Sequence, residues 1–230
     1  MITALIIGFI AGWLNSMPIG PVNAAIISRT LKYDYRSGLS TAIGAALVDF
    51  LYCACAAQIQ HFLKDFPEVN LFFRVVGFVA LVWMGYKTFA ANRISVRMPD
   101  EEADLHKAED RVVKLHVKEG SLLGAFTLGA VLYGSNLSSV PTWIFISGLL
   151  HEWGMLRSSM MVNFVFAVGA GIGTAGWYSM LVHLIARRRG GFSPRTLRNI
   201  NLAASIAMLV FGCYFLYQII FDTAWAEIIG

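Results

Sequence analysis

The chain has 230 residues, of which 57% are hydrophobic and only 14% are charged, and its mean hydropathy is +0.63. A soluble domain carries about 25% charged residues, so this composition leaves too little polar surface for an ordinary water-soluble globule. The formal net charge of +4 does not indicate nucleic-acid binding, because the cationic residues form short clusters between apolar runs, as is typical of membrane proteins.

Six apolar stretches are long enough to cross a bilayer as helices, which takes roughly 20 residues each. They cover residues 2–28, 38–60, 71–91, 121–150, 159–186 and 200–221. The first stretch lacks a basic leader and a small-residue cleavage site, so we interpret it as a spanning helix and not as a signal peptide. The sequence therefore predicts an all-α, multi-pass membrane protein of six transmembrane helices.

The charge of the connections predicts the orientation. The adjoining helix ends are counted with the connections, so that Lys87 belongs to the third and Arg74 to the second. The first, third and fifth connections then contain three, seven and five Lys or Arg residues, whereas the second and fourth together contain three. Because cytoplasmic connections carry the excess of Lys and Arg, both termini are expected outside. The third connection, residues 92–120, is the one sizeable polar segment. Its helical spacing of apolar residues fits a short amphipathic helix on the membrane surface or a solvated linker, and both interpretations stay open.

A Pro-Ile-Gly-Pro sequence lies in the middle of the first span. Pro18 and Pro21 cannot donate backbone hydrogen bonds, so the carbonyls of Leu14 and Met17 are expected to lose their helical partners. Gly20 permits a non-helical turn, and proline suits the first position of a new helix. These residues predict two half-helices that meet near the middle of the membrane, in preference to a simple kink.

The first break is a candidate substrate site, since free carbonyls attract cations and the amide-rich start of a helix attracts anions. The candidate substrate-binding residues around it are Asn15, Ser16, Pro18, Gly20, Pro21 and Asn23.

The fourth span contains a second candidate break, in the sequence Gly-Ser-Asn-Leu-Ser-Ser-Val-Pro at residues 134–141. Pro141 is expected to free the carbonyl of Leu137, with neutral polar side chains clustered just before it. The candidate substrate-binding residues here are Asn136, Ser138, Ser139 and Pro141. These Ser and Asn side chains could equally serve as hydrogen-bonding contacts between helices.

Asp49 alone among the 14 acidic residues lies deep within a predicted span. An ionised carboxylate in the membrane interior costs several kcal/mol or more unless it is paired, hydrated or protonated. No Lys or Arg lies at a comparable depth to pair with it. We therefore predict that Asp49 binds the coupling ion, a proton or another cation. The alternative is a permanently protonated Asp that hydrogen-bonds to a neighbouring helix.

The two halves of the chain resemble each other. Gly44, Asp49 and Tyr52 in the second span recur at identical spacing as Gly169, Thr174 and Trp177 in the fifth. Together with the two broken helices, this pattern predicts an inverted repeat of three helices plus three, as in many secondary transporters. The expected division is residues 1–91, 92–120 and 121–230, for the first repeat, the linker and the second repeat. Thr174 then joins the candidate substrate-binding residues.

Three pairs of glycines have the spacing of close helix contacts. They are Gly8 and Gly12, Gly120 and Gly124, and Gly169 and Gly173. We predict that they mediate contacts within the helix bundle.

These features together resemble the LysE/RhtB family of bacterial amino-acid exporters. The resemblance rests on five motifs. They are the break at residues 18–21 in the first helix, Asp49 in the second helix, Gly77 to Gly85 in the third, the Asn and Pro of the fourth, and the Gly/Trp pattern of the fifth. The resemblance implies a bacterial inner-membrane protein that exports small solutes, typically amino acids, driven by protons. Ile19 between Pro and Gly, and four residues between Asn136 and Pro141, depart from the family pattern, so an amino-acid derivative is also an open candidate.

The main alternative is a divalent metal-ion permease of the same superfold. A single intramembrane carboxylate without a His or Cys cluster argues against a tight transition-metal site. A redox conduit would need paired cysteines at the breaks, and neither break contains one. No nucleophile–base set indicates an enzyme, and no cofactor is expected. The expected partners are a small-molecule substrate and the lipid bilayer, without nucleic acid. Self-association into a homo-oligomer stays open.

Overall fold

The computed structural model describes residues 1–18, 20–63, 121–136, 139–156 and 159–187, and the single positions 72, 75–76, 79, 82–83, 86, 202, 206, 209–210, 213 and 216–217. Within these residues all regular structure is helical, which confirms the predicted all-α class. The helices are α1 (Ile2–Ser16), α2 (Pro21–Lys32), α3 (Tyr35–Leu63), α4 (Leu122–Gly134), α5 (Ser139–Glu152) and α6 (Met160–Arg187).

Two of these helices are each long and apolar enough to cross a membrane. They are α3, through its segment Tyr35–Ile59, and α6. Helices α1 and α2 pass the same test together, although their axes differ in direction by 78°. The predicted third and sixth spans and the linker at 92–120 lie outside the described residues apart from single positions, so the count of six spans stays a prediction.

The starts of these helices follow from local sequence. Gly20 is extended (φ −129°, ψ −169°) and precedes Pro21, the first residue of α2, where a missing N–H costs no helical hydrogen bond. Ser121 caps α4, since its Oγ accepts the N–H of Gly124 at 3.0 Å. Asp34 accepts the N–H of Ser37 at 2.7 Å at the start of α3.

Glycines bring α1 and α6 into backbone contact. Gly8 and Gly12 on α1 lie against the α6 backbone, and Gly169 and Gly173 on α6 lie against the α1 backbone. A Cβ at any of these four positions would overlap a carbonyl oxygen of the other helix. These two glycine pairs are therefore confirmed as helix contacts, whereas the pair with Gly120 extends beyond the described residues.

A second glycine contact of the same kind joins α3 to α4. Gly44 lies against the carbonyl of Phe126, and Gly129 lies against the carbonyl of Thr41. Helix α3 also contacts α2, α5 and α6. Helices α3 and α6 therefore pack against each other at the centre of the described bundle, with α1 on α6 and α4 on α3.

Candidate functional site

Asp49 lies where four helices meet. Its side chain on α3 is fully buried. Oδ1 accepts a hydrogen bond from Trp143 Nε1 of α5 at 2.6 Å and another from the hydroxyl of Tyr133 of α4. Oδ2 accepts a hydrogen bond from the hydroxyl of Thr174 of α6. These three donors are neutral, so they replace part of the lost hydration of the carboxylate without supplying a countercharge.

Thr174 connects Asp49 to the end of α1. The Oγ of Ser16 lies 3.0 Å from Thr174 Oγ1 and 2.8 Å from the carbonyl oxygen of Gly12. Thr174 Oγ1 itself lies 3.2 Å from that same carbonyl oxygen. The hydroxyl of Tyr178 also lies beside Ser16. The structure thus brings three of the predicted site residues, Asp49, Thr174 and Ser16, into one buried hydrogen-bonded cluster.

Asn23 spans the segment between α1 and α2, residues 17–20, which we call the first junction. Its Nδ2 donates to the carbonyl oxygens of Ser16 at 3.2 Å and Pro18 at 2.7 Å. Its Oδ1 accepts the indole N–H of Trp177 at 3.3 Å. Both amide hydrogens and the carbonyl of this buried side chain therefore have protein partners. In this conformation Asn23 fixes the geometry of the junction.

The backbone acceptors at the first junction differ from those expected. The missing N–H of Pro18 was expected to leave the Leu14 carbonyl free, but this carbonyl accepts the N–H of Met17 at 3.2 Å. A helix end commonly tightens in this way, because a shorter hydrogen bond satisfies the last carbonyls. The carbonyls that accept hydrogen bonds from a side chain, Asn23, are instead those of Ser16 and Pro18. The prediction of a free Leu14 carbonyl is therefore wrong.

The segment between α4 and α5, residues 135–138, forms the second junction. The carbonyl of Gly134, the last residue of α4, accepts the hydroxyl of Tyr52 at 2.8 Å. The N–H of Asn136 donates to the Tyr133 carbonyl at 3.0 Å, and the Asn136 carbonyl accepts the N–H of Ser139 at 3.1 Å. These two bonds tie Asn136 to the end of α4 and to the start of α5.

Ser139 joins the second junction to the Asp49 cluster. It is the first residue of α5, is buried, and lies beside the hydroxyl of Tyr133. Pro141 lies in the first turn of α5, where the missing N–H is tolerated. Leu137, whose carbonyl was expected to be free, and Ser138, a predicted site residue, both lie outside the described residues.

The remaining predicted residues lie around the first junction. Asn15 is half-buried in the last turn of α1, and Gly20 and Pro21 form the start of α2. Tyr133 and Trp143 were not predicted as partners of Asp49. One signal could have indicated them, because a lone membrane carboxylate needs donors and buried Tyr and Trp usually hydrogen-bond through their O–H and N–H groups.

A family model and a curated relative both match most of the chain. The family model described as "LysE type translocator" matches residues 14–219. The chain is also 27% identical over 210 residues to a Bacillus subtilis (strain 168) protein described as "Putative amino acid efflux protein YcgF", covering 91% of this chain and 93% of that protein. No solved structure matches the chain at a significant level. The chain belongs to the LysE type translocator family, whose members are membrane transporters and not enzymes.

Proposed function

We propose that this transporter exports a small solute, an amino acid or a derivative, and that the export is coupled to protons. The description of the Bacillus subtilis relative as an amino acid efflux protein supports the substrate class and the direction. The observation that carries the coupling is the buried carboxyl group of Asp49, which takes hydrogen bonds from three neighbouring helices. When this carboxyl group gains or loses a proton, its hydrogen bonds with all three helices change.

The hydrogen bonds of Asp49 extend towards both junctions. Through Thr174 they reach Ser16 at the end of α1, and Tyr133 lies beside Ser139 at the start of α5. The two junctions are the proposed substrate-binding regions. A proton on Asp49 therefore lies two hydrogen bonds from the end of α1 and one residue away from the start of α5, and coupling requires this proximity.

The two halves form the proposed inverted repeat of a secondary transporter. The matched residues Asp49 and Thr174 hydrogen-bond to each other. Tyr52 donates to the last residue of α4, and its counterpart Trp177 donates to Asn23 in the first turn of α2. Each matched aromatic residue thus contacts one junction. This correspondence supports a pseudo-twofold relation with the Asp49–Thr174 pair near its axis.

The proposed substrate site lies at the two junctions, treated as breaks in the first and fourth spanning helices. The start of α2 presents backbone N–H groups that favour the carboxylate of an amino acid. Polar side chains of the second junction favour its ammonium group. The residues proposed to contact or shape the site are Asn15, Ser16, Pro18, Gly20, Pro21, Asn23, Asn136, Ser138, Ser139, Pro141 and Thr174.

A divalent metal ion as the substrate is the less favoured alternative. Hard divalent cations take about six or more oxygen ligands, commonly several carboxylates, and transition metals favour His or Cys. Within the described part of the chain no three His, Cys, Asp or Glu side chains converge. The partners of Asp49 there are instead hydrogen-bond donors, which orient a carboxylate but do not coordinate a cation.

A thermal-shift screen of the purified protein separates these two substrate classes. A ligand at 100 times its Kd stabilises the native state by about 2.7 kcal/mol, enough to raise the melting temperature measurably. We expect stabilisation by an amino acid or an amino-acid derivative, with a saturating concentration dependence. Polyamines and divalent metal chlorides serve as the comparison panels. Saturable stabilisation by a metal ion, with none by any amino acid or derivative, would overturn the proposed substrate class.

The proposed location is the bacterial inner membrane with both termini outside. The excess of Lys and Arg in the first, third and fifth connections supports this orientation. A C-terminal fusion to a reporter that fluoresces only in the cytoplasm should therefore stay dark, while the same reporter inserted into the 92–120 connection should fluoresce. The opposite pattern would reverse the orientation without changing the proposed transport site.

A further inference from the structure

We propose that Thr174 is a positioning residue that transmits the protonation state of Asp49 to the first junction by reversing a hydrogen-bond chain. The chain consists of Asp49, Thr174, Ser16 and the carbonyl of Gly12, and we call it the relay. The proposal rests on the proposed function, because it gives a physical route from the coupling carboxyl group to the proposed substrate site.

The partners of Asp49 determine which oxygen takes the proton. Oδ1 faces the indole N–H of Trp143 at 2.6 Å, and this group can donate but cannot accept a hydrogen bond. Oδ1 also accepts the Tyr133 hydroxyl, so two donors already occupy its two lone pairs, and a proton on Oδ1 would displace one of them. Oδ2 faces the Thr174 hydroxyl, which can either donate or accept. The added proton goes to Oδ2 and points at Thr174.

Thr174 has one hydroxyl hydrogen and two acceptors within reach. When Asp49 is ionised, this hydrogen points at Oδ2. When Oδ2 carries the proton, Asp49 donates to Thr174 Oγ1, and the Thr174 hydrogen turns to the carbonyl oxygen of Gly12 at 3.2 Å. The heavy atoms already satisfy both arrangements, so the reversal requires only rotation of the hydroxyl group.

Ser16 carries the change to the first junction. Its own single hydrogen can point at the Gly12 carbonyl at 2.8 Å or at Thr174 Oγ1 at 3.0 Å. Once Thr174 donates to Gly12, that carbonyl has a new donor and Ser16 shifts its hydrogen to Thr174. The carbonyl of the same Ser16 is held by Asn23 across the junction at 3.2 Å. Protonation of Asp49 thereby exchanges a bond within α1 for a bond between α1 and α6, directly beside the junction.

The other groups around Asp49 retain their protons through this cycle. The titratable side chains that face it among the described residues are Cys53 on α3, Tyr133 on α4 and Tyr178 on α6. A thiolate or phenolate beside Asp49 would place a second negative charge in the same apolar interior. The side chains that α1 and α5 contribute here, Ser16 and Trp143, do not titrate. Asp49 is therefore the group that changes charge.

Hydrogen exchange measured by mass spectrometry tests the relay without a substrate. Asp49→Asn imitates the protonated acid, because Trp143 requires an oxygen at Oδ1 and so places the amide nitrogen opposite Thr174. In the purified protein near neutral pH, we expect this substitution to change the exchange rate of peptides covering residues 17–24 by about threefold or more, the size of one hydrogen bond. The same change is expected in the Thr174→Ser background, which keeps the hydroxyl group.

The Thr174→Val background should abolish this response, because valine keeps the shape of threonine but cannot relay a hydrogen bond. Thr41→Val is the matched control. Thr41 is equally buried, but its hydroxyl donates to the Ser37 carbonyl at 3.1 Å within α3, so the response to Asp49→Asn should persist. Ser16→Ala, which removes the next hydroxyl in the relay, should also abolish it and provides a second test if Thr174→Val does not fold.

An equal response to Asp49→Asn in the Thr174→Val or Ser16→Ala background would overturn the relay, as would no response in the wild-type background. Either result would leave the proposed transport function standing if transport by reconstituted protein still depended on Asp49. Failure of transport to depend on Asp49 is a separate outcome, and it would remove the proposed function instead.

Discussion

Asp49→Asn is expected to reduce transport driven by an imposed proton gradient to the level of vesicles without protein. The amide keeps the size of the carboxyl group. Its oxygen can keep the hydrogen bonds from Tyr133 and Trp143, and its nitrogen can donate to Thr174 in place of the bond that Thr174 donates to Asp49, so the fold should be retained. It cannot bind and release a proton. The measurement is uptake or release of the stabilising amino acid by reconstituted vesicles, alongside the melting temperature of the variant.

Asp34→Asn is the matched control, because Asp34 is exposed at the start of α3 and its role as a helix cap can be taken over by asparagine. It should transport normally. Thr174→Val should weaken substrate binding, since Thr174 lies in the cluster next to Ser16. Normal gradient-driven transport by Asp49→Asn would mean that Asp49 is a permanently protonated structural residue, and would remove its coupling role.

Gly12→Ala is expected to produce a large loss of stability. A Cβ at this position would overlap the backbone carbonyl of Ala170 on α6, and backbone atoms cannot move aside as a flexible side chain can. Separation of α1 and α6 should cost about 1–3 kcal/mol, the usual range for overpacking a close contact. The measurement is the melting temperature in detergent, monitored by circular dichroism or by intrinsic fluorescence.

Gly134→Ala is the control for this substitution. Gly134 is also helical, but the nearest atoms that its Cβ would meet are in the side chains of Val48 at 3.9 Å and Tyr52 at 4.0 Å, which is ordinary contact. Its melting temperature should stay close to that of the wild type. Equal melting temperatures for Gly12→Ala and the wild type would show that Gly12 does not lie against the Ala170 carbonyl.

The helices could be predicted because apolar runs of membrane length leave few other structures possible. The sequence also indicated the glycine contacts of α1 and α6, since small residues four apart form a flat strip on one helix face. The functional importance of Asp49 stays a prediction, but its burial could be expected from its isolation in an apolar run. The structure adds its contact with Thr174, to which identical spacing in the two halves already pointed.

The donors of Asp49 could not be predicted in the same way. Tyr133 and Trp143 lie 84 and 94 residues away along the chain, and the spans contain several aromatic residues that could have served. Choosing between them requires the rotation of α4 and α5 about their axes, which helical spacing does not define. The role of Asn23 could not be predicted either. An Asn beside a helix break can bind a ligand or hydrogen-bond to the protein's own carbonyls, and the sequence is the same in both cases.

Proton movement during transport tests most directly whether this chain couples export to Asp49. Vesicles containing the purified protein and a trapped pH-sensitive dye are loaded with the stabilising amino acid and diluted into amino-acid-free buffer at equal pH. Outward flow of the amino acid through the wild type should draw protons into the vesicles and acidify the lumen, whereas Asp49→Asn should produce no pH change. Amino-acid efflux through the wild type without acidification, or equal acidification with Asp49→Asn, would contradict the proposed mechanism.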